Sequence, residues 1–140
     1  MRLRATAADE LVTAARAARA RAYAPYSRYR VGAAVLTRAG GIYAGCNVEN
    51  ATYGATLCAE RSAIAAMVSA GDSDPVACAV VTAGPKPGTP CGICRQVLVE
   101  FAREMTLVLV AEDAKGRIVA RRSDRVSRLL PHAFGLSTRK

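Results

Sequence analysis

The chain has 140 residues and 14.7 kDa, with 51% hydrophobic residues and a formal charge of +9 from 20 Lys and Arg against 11 Asp and Glu. That apolar content excludes a disordered chain, and no apolar run approaches the ~20 residues that a membrane-spanning helix needs. Five cysteines, an odd number, argue against a disulfide framework and for metal binding or catalysis, while a single histidine, His132, leaves little from which to build a His-rich metal site.

In chain order, Met1-Arg2-Leu3-Arg4 leads into an Ala/Arg stretch with no apolar signal region, so the cytoplasm is the expected location. Thr6 to Ala22 is predicted helical, with Thr6 as N-cap, and it ends before Pro25. Val31 to Leu36 and Ile42 to Val48 are two antiparallel strands joined by the turn Ala39-Gly40-Gly41. A polar loop from Glu49 to Thr56 precedes a second helix, Cys58 to Ala70, stopped by Gly71. Pro75 to Thr82 is a buried strand, followed by the loop Gly84 to Gly88 and a third helix from Cys91 to Arg103. Thr106 to Ala111 and Arg117 to Ala120 give two more strands, and Val126 to Leu130 a short last helix. This alternation predicts one central sheet covered by helices on both faces, in a single domain spanning 1–140.

The charge is not spread evenly. Residues 1–30 carry a net +5 and residues 121–140 another +5, whereas the middle, 31–120, is at −1. A protein that bound nucleic acid through its functional core would carry its Lys and Arg there. With 5% aromatic residues and no Trp to stack on bases, neither nucleic acid nor membrane is the expected partner. Seventeen Arg against three Lys looks like compositional bias on a solvated surface.

The middle segment holds the chemistry. Cys58-Ala59-Glu60 opens the second helix and Pro90-Cys91-Gly92-Ile93-Cys94 opens the third. Cysteines three apart in a first helical turn point to one side, and a helix N-terminus lowers a thiol pKa, so two converging termini would form a three-thiolate pocket suited to Zn²⁺. Three ligands leave a fourth position for water, and Glu60 beside a ligand is then a proton carrier. Each part alone has a plainer meaning: CxxC is also a redox pair or a structural half-site, and Cys46 or Cys78 could supply a fourth sulfur. Taken together, CxE followed by PCxxC, with Cys91 31 residues after Glu60, is the arrangement of the zinc deaminases in their three-cysteine form.

Further segments make the resemblance specific. Ala24-Pro25-Tyr26-Ser27, Val31-Gly32-Ala33-Ala34, Gly45-Cys46-Asn47-Val48-Glu49-Asn50-Ala51, Tyr53-Gly54, Cys58-Ala59-Glu60-Arg61, Cys94-Arg95-Gln96-Val97, Leu129-Leu130-Pro131 and Ala133-Phe134-Gly135 resemble cytidine deaminase, in its short, homotetrameric form. The resemblance implies an α/β fold, the cytidine deaminase-like three-layer α/β/α sandwich with a five-stranded mixed sheet. It implies one Zn²⁺ per subunit on Cys58, Cys91 and Cys94, with Arg61 hydrogen-bonded to a ligand sulfur. It further implies that Glu60 takes a proton from the metal-activated water and delivers protons to the ring nitrogen and to the departing amine.

The expected products are a uracil nucleoside and ammonia, from cytidine or 2'-deoxycytidine in pyrimidine salvage. Asn47 and Glu49 match positions that hold the ribose 3'-hydroxyl, the Ala59 N–H faces the base carbonyl, and the Thr89 carbonyl accepts from the exocyclic amine. Ala51, Tyr53 and Phe134 match positions that a neighbouring subunit supplies. The chain departs from the family pattern at Tyr29, where a Phe usually packs on the base, and at Arg30, where Pro is common. Arg30 and Lys86 would make the pocket mouth more basic, which keeps open a modified cytosine nucleoside or a nucleoside antibiotic as substrate.

Overall fold

The computed structural model describes residues 2–136; residues 1 and 137–140 of the expected domain lie outside them. Period-two alternation in the strands builds the sheet's two faces. In β1 (Gly32–Thr37), β3 (Pro75–Ala83) and β4 (Thr106–Glu112), the residues Ala33, Val35, Cys78, Val80, Leu107 and Leu109 face one way, while Ala34, Ala77, Ala79, Val81, Val108 and Val110 face the other. With β2 (Ile42–Cys46) and β5 (Ile118–Arg125) these strands form a five-stranded sheet of order β2-β1-β3-β4-β5. Only β3 and β4 run parallel, joined through a helix; the other pairs are antiparallel, so the sheet is mixed.

One face is covered by α1 (Ala5–Arg19), whose Ala8, Leu11, Val12 and Ala15 fall at helical spacing on a single buried stripe. The other carries α2 (Ala59–Ser69), α3 (Gly92–Phe101) and the single turn α4 (Val126–Leu129), through Ala63, Ile64, Met67, Leu98 and Val126. The three-layer α/β/α sandwich expected from the sequence is therefore the observed architecture.

Several boundaries differ from the sequence reading. Helix α1 starts at Ala5 with Arg4 as an extended N-cap and no side-chain cap, so Thr6 lies inside the first turn. Leu3 packs on the same core as Ala8, and burial of the stripe sets the entry in place of a hydroxyl cap. Strand β2 ends at Cys46; Val48 peels away to bridge both Tyr23 and Leu57, which ties the loop before α2 to the chain after α1. Strand β5 continues to Arg125, pairing with β4 from Ile118 to its end. It is an exposed edge strand carrying Arg121, Arg122 and Arg125, so it lacks the apolar signal by which buried strands are read.

Two glycines allow helices to lie directly on the hairpin. A Cβ on Gly32 would stand 2.0 Å from the Ala15 carbonyl oxygen in α1, and one on Gly45 would stand 2.5 Å from the Ala63 nitrogen in α2. Glu112, buried at the end of β4, is held by Arg16 Nε at 2.6 Å and Arg19 NH1 at 2.9 Å. The same two guanidiniums reach onward to the carbonyls of Gly116 at 2.6 Å and Arg30 at 2.9 Å.

Candidate functional site

Both α2 and α3 begin at the carboxyl end of β3, where crossover sheets leave a crevice for ligands. Cys58 is the extended N-cap of α2 and Cys91 that of α3, each without a side-chain capping bond, while Cys94 is the third residue of α3. Their sulfurs all lie within 4.8 Å of one another, with Cys58 and Cys91 Sγ atoms 3.9 Å apart. Tetrahedral zinc with Zn–S bonds of about 2.3 Å requires sulfurs roughly 3.8 Å apart. The donor set fits the metal.

The electrostatics agree. A hydrogen bond from Cys94, followed by contacts with Arg61 and Cys91, holds the Cys58 thiol down at about 5 against the opposing effect of burial. The same bond to Cys58, with burial next, pushes the Cys94 thiol up, so without a cation the cluster keeps protons that a divalent metal would displace. Arg61 NH2 donates to Cys58 Sγ at 3.5 Å and to the Thr56 carbonyl at 3.2 Å. Its Nε is a buried donor with no hydrogen-bond partner among the described residues. Cys46 and Cys78 stand outside the cluster; Cys78 is fully buried in β3, and burial pushes its thiol far above the usual range.

A cavity of about 170 Å³ opens on the cysteines and is lined by Tyr29, Asn47, Ala59, Glu60 and Thr89 among the expected site residues. Glu60 is 5% exposed, and burial, with the nearby Cys58 charge adding to it, raises its carboxyl to about 7. A carboxyl titrating near neutrality can both take and give a proton. The first N–H groups of α2, Ala59 among them, have no carbonyl within the helix to pair with. Val31, Thr56, Val80 and Thr82 complete the lining. Sequence reasoning did not single them out, although strand alternation already puts Val80 and Thr82 on one face.

Asn47 is 8% exposed and bonded to the backbone, accepting from Val31 N at 2.9 Å and donating to the Tyr29 carbonyl at 2.8 Å. Glu49 faces a neighbouring depression shared with Tyr53 and Thr56, and Thr56 borders both hollows. Its carboxylate accepts from the Tyr26 and Ser27 backbone N–H groups and from the Ser27 hydroxyl; the hydroxyl bond chiefly holds its pKa below the usual carboxylate range. Ala51 is exposed, and Tyr53 and Phe134 project at 81% and 70% exposure; none of the three lines the cavity within this chain. Arg30 lines depressions beside α1 and the turn after it, and neither Arg30 nor Lys86 is among the residues that line the cavity.

The family described as the cytidine and deoxycytidylate deaminase zinc-binding region matches residues 5–111. A cytidine deaminase of Halalkalibacterium halodurans is 46% identical over 124 residues, covering 89% of this chain and 91% of that protein. The crystal structure of cytidine deaminase from Burkholderia pseudomallei superimposes with a TM-score of 0.80 at 43% identity, covering 90% of this chain and 98% of that one. That from Mycobacterium tuberculosis gives 0.75 at 42% identity, with 91% and 97% covered. Paired cysteine-bearing helix N-termini over a mixed sheet, and similarity running through nearly the whole chain, place this protein in the cytidine and deoxycytidylate deaminase zinc-binding family.

Proposed function

We propose that the protein hydrolyses cytidine and 2'-deoxycytidine to uridine and 2'-deoxyuridine with release of ammonia, with one zinc ion per subunit on Cys58, Cys91 and Cys94. The observation that carries this reading is the buried Glu60 carboxyl in a nucleobase-sized cavity beside three converging cysteines. Zinc supplies the Lewis acid by which water becomes a nucleophile at neutral pH. Glu60 accepts the proton that the water gives up and delivers it to the ring nitrogen next to the amino-bearing carbon; it then accepts a second proton, from the hydroxyl that has added to that carbon, and delivers it to the departing amine as the carbon–nitrogen bond breaks. One carboxyl suffices because each transfer reloads it for the next.

The remaining groups orient the nucleoside. The Ala59 N–H donates to the base carbonyl, the Thr89 carbonyl accepts from the exocyclic amine, and the ring of Tyr29 packs on the base. Asn47 and Glu49 receive the ribose 3'-hydroxyl. Each keeps acceptor capacity for it, since Asn47 Oδ1 and the Glu49 carboxylate have lone pairs beyond their backbone bonds. Arg61 steadies the Cys58 sulfur. Ala51, Tyr53 and Phe134, exposed in the single chain, enter the sites of neighbouring subunits in a homotetramer. The chain acts as one domain over 1–140, in the cytoplasm, in pyrimidine salvage, without nucleic acid as partner; no helix among the described residues is long and apolar enough to cross a membrane.

A second reading has one observation in its favour. The Tyr29 hydroxyl lies 2.8 Å from where a Gly88 Cβ would stand, at the cavity wall and with no protein hydrogen-bond partner among the described residues. A cytosine nucleoside bearing a polar substituent could use it.

Loss of cytidine absorbance with zinc-loaded protein decides between these. Cytidine and deoxycytidine should be consumed, and Glu60→Gln should keep its zinc while losing about 10²- to 10⁴-fold in kcat. Inertness of the wild type toward both nucleosides, or full activity of Glu60→Gln, would sink the reading.

A further inference from the structure

The loop between β3 and α3 ends in Thr89-Pro90-Cys91, so the peptide that carries the Thr89 carbonyl immediately precedes a metal-ligand residue. This peptide is a tertiary amide. It has no N–H of its own, and its carbonyl is its only polar group. The carbonyl direction is set by rotation about two bonds, one in Thr89 and one in Pro90, and the proline ring locks the second. What remains to be fixed is the Thr89 side and the chain just after the proline.

Arg95 holds both. Its Nε donates to the Pro90 carbonyl at 2.7 Å and its NH2 to Thr89 Oγ1 at 3.0 Å, while its NH1 donates to the Leu129 carbonyl at 2.8 Å. Pro90 is buried and Arg95 half-buried, so these bonds are partly shielded from competing water. The Leu129 carbonyl, at the end of α4, anchors the guanidinium from the side away from the loop. A planar fork with five donors can serve three acceptors at fixed angles; a lysine ammonium on a flexible stem has no such fork.

We infer that Arg95 is a positioning residue for the deamination: by pinning Thr89 and Pro90 against α4, it aims the Thr89 carbonyl at the exocyclic amine of cytosine. The inference rests on the role given to Thr89 in the proposed function. Arg95 is neither among the residues lining the cavity nor in the cysteine cluster, and it acts through the loop it grips. Its effect should therefore fall on ligands that carry the amine and spare those that lack it.

The experiment compares cytidine with the pyrimidin-2-one ribonucleoside, which has hydrogen in place of the amino group, on zinc-loaded Arg95→Ala. Zinc content and circular dichroism establish that the variant is folded. The KM for cytidine should rise about tenfold, the scale of one lost hydrogen bond, while the inhibition constant of the desamino nucleoside stays within about twofold of wild type. An unchanged cytidine KM would overturn the inference, and so would equal weakening toward both nucleosides, which is the signature of a merely loosened site.

Should Arg95→Ala fail to fold or to hold zinc, Thr89→Val decides. It removes only the Oγ1 acceptor and keeps the backbone carbonyl, so a cytidine KM raised about threefold with the desamino affinity unchanged is expected. The same two contrary outcomes would overturn the inference there. A wild-type protein without cytidine turnover would instead remove the proposed function, and this inference with it.

Discussion

Asn47 Nδ2 donates to the Tyr29 carbonyl at 2.8 Å while Asn47 Oδ1 accepts from the Val31 N–H at 2.9 Å, so one buried amide grips the chain on both sides of Arg30. The segment that carries Tyr29, which lines the cavity, is thereby fixed to the end of β2. Asn47→Ala leaves two backbone groups without these partners and should cost about 2 kcal/mol of stability, with a raised KM for cytidine. Chemical denaturation and steady-state kinetics on the same preparation would check it. Wild-type stability in the variant would mean that water replaces the amide freely.

Metal removal should expose an order among the cysteines. In the zinc-free protein the Cys58 thiol, held at about 5, is ionised near neutrality, whereas the Cys94 and Cys78 thiols are pushed up and stay protonated. Iodoacetamide at about pH 6, after chelation, should modify Cys58 ahead of Cys94 and Cys78, because the thiolate is the nucleophile. Zinc should protect Cys58. Mass spectrometry of tryptic peptides reads the order, and prior labelling of Cys94 would contradict it.

Gly45 lets β2 lie against the backbone of α2, the helix that carries Glu60 and is capped by Cys58. A methyl group there meets the Ala63 nitrogen at 2.5 Å and Ser62 Cβ at 2.6 Å, and backbone cannot step aside as a side-chain tip would. Gly45→Ala should cost about 1–3 kcal/mol through overpacking and should weaken zinc retention, because the displaced helix bears a ligand at its start. Thermal unfolding and competition with a chelator measure the two effects. A shift in stability without any change in zinc retention would show that α2 absorbs the strain away from its N-terminus.

Acid should destabilise the fold partly through Asp124. Its carboxylate accepts first from the Arg125 backbone N–H and then from the Arg122 side chain, with the Arg128 charge nearby, and is held below the usual aspartate range; its side chain is 7% exposed. A depressed folded-state pKa contributes stability that is complete above the unfolded pKa of about 4 and is lost as pH falls from there through the folded value. The difference in urea midpoint between wild type and Asp124→Asn should be steady from about pH 7 to about pH 5 and shrink below about pH 4. A pH-independent difference would refute the assignment.

Much of the site was legible because its chemistry is local in sequence. Cys58 with Glu60, and Cys91 with Cys94, sit within single helical turns, and proline and cysteine at a helix start are read without tertiary knowledge. The apolar alternation of β3 and β4 likewise fixes the faces of the inner strands. What sequence hid depends on long-range partners. Thr6 is a better capping residue than Arg4, yet burial of Leu3 and Ala8 moved the helix start. The length of β5 is set by pairing to β4, although its arginines carry no strand signal. Thr56 and Thr82 reach the cavity only through the fold, and the internal bonds of Asn47 could not be told from a ligand-holding role by residue type.

The arginine excess also takes on a different meaning once Glu112 is in view. Arg16 and Arg19 each straddle the Glu112 carboxylate and a separate backbone carbonyl, at Gly116 and Arg30, so α1, the end of β4, the β4–β5 turn and the approach to β1 meet in one clasp. Such a clasp depends on the flat geometry of guanidinium rather than on positive charge, and lysine would keep the charge while losing the second prong. Part of what reads in composition as a basic surface is joinery: two of the positive charges in the N-terminal block are turned inward, fastening the helical cover to the sheet whose far side bears the zinc ligands.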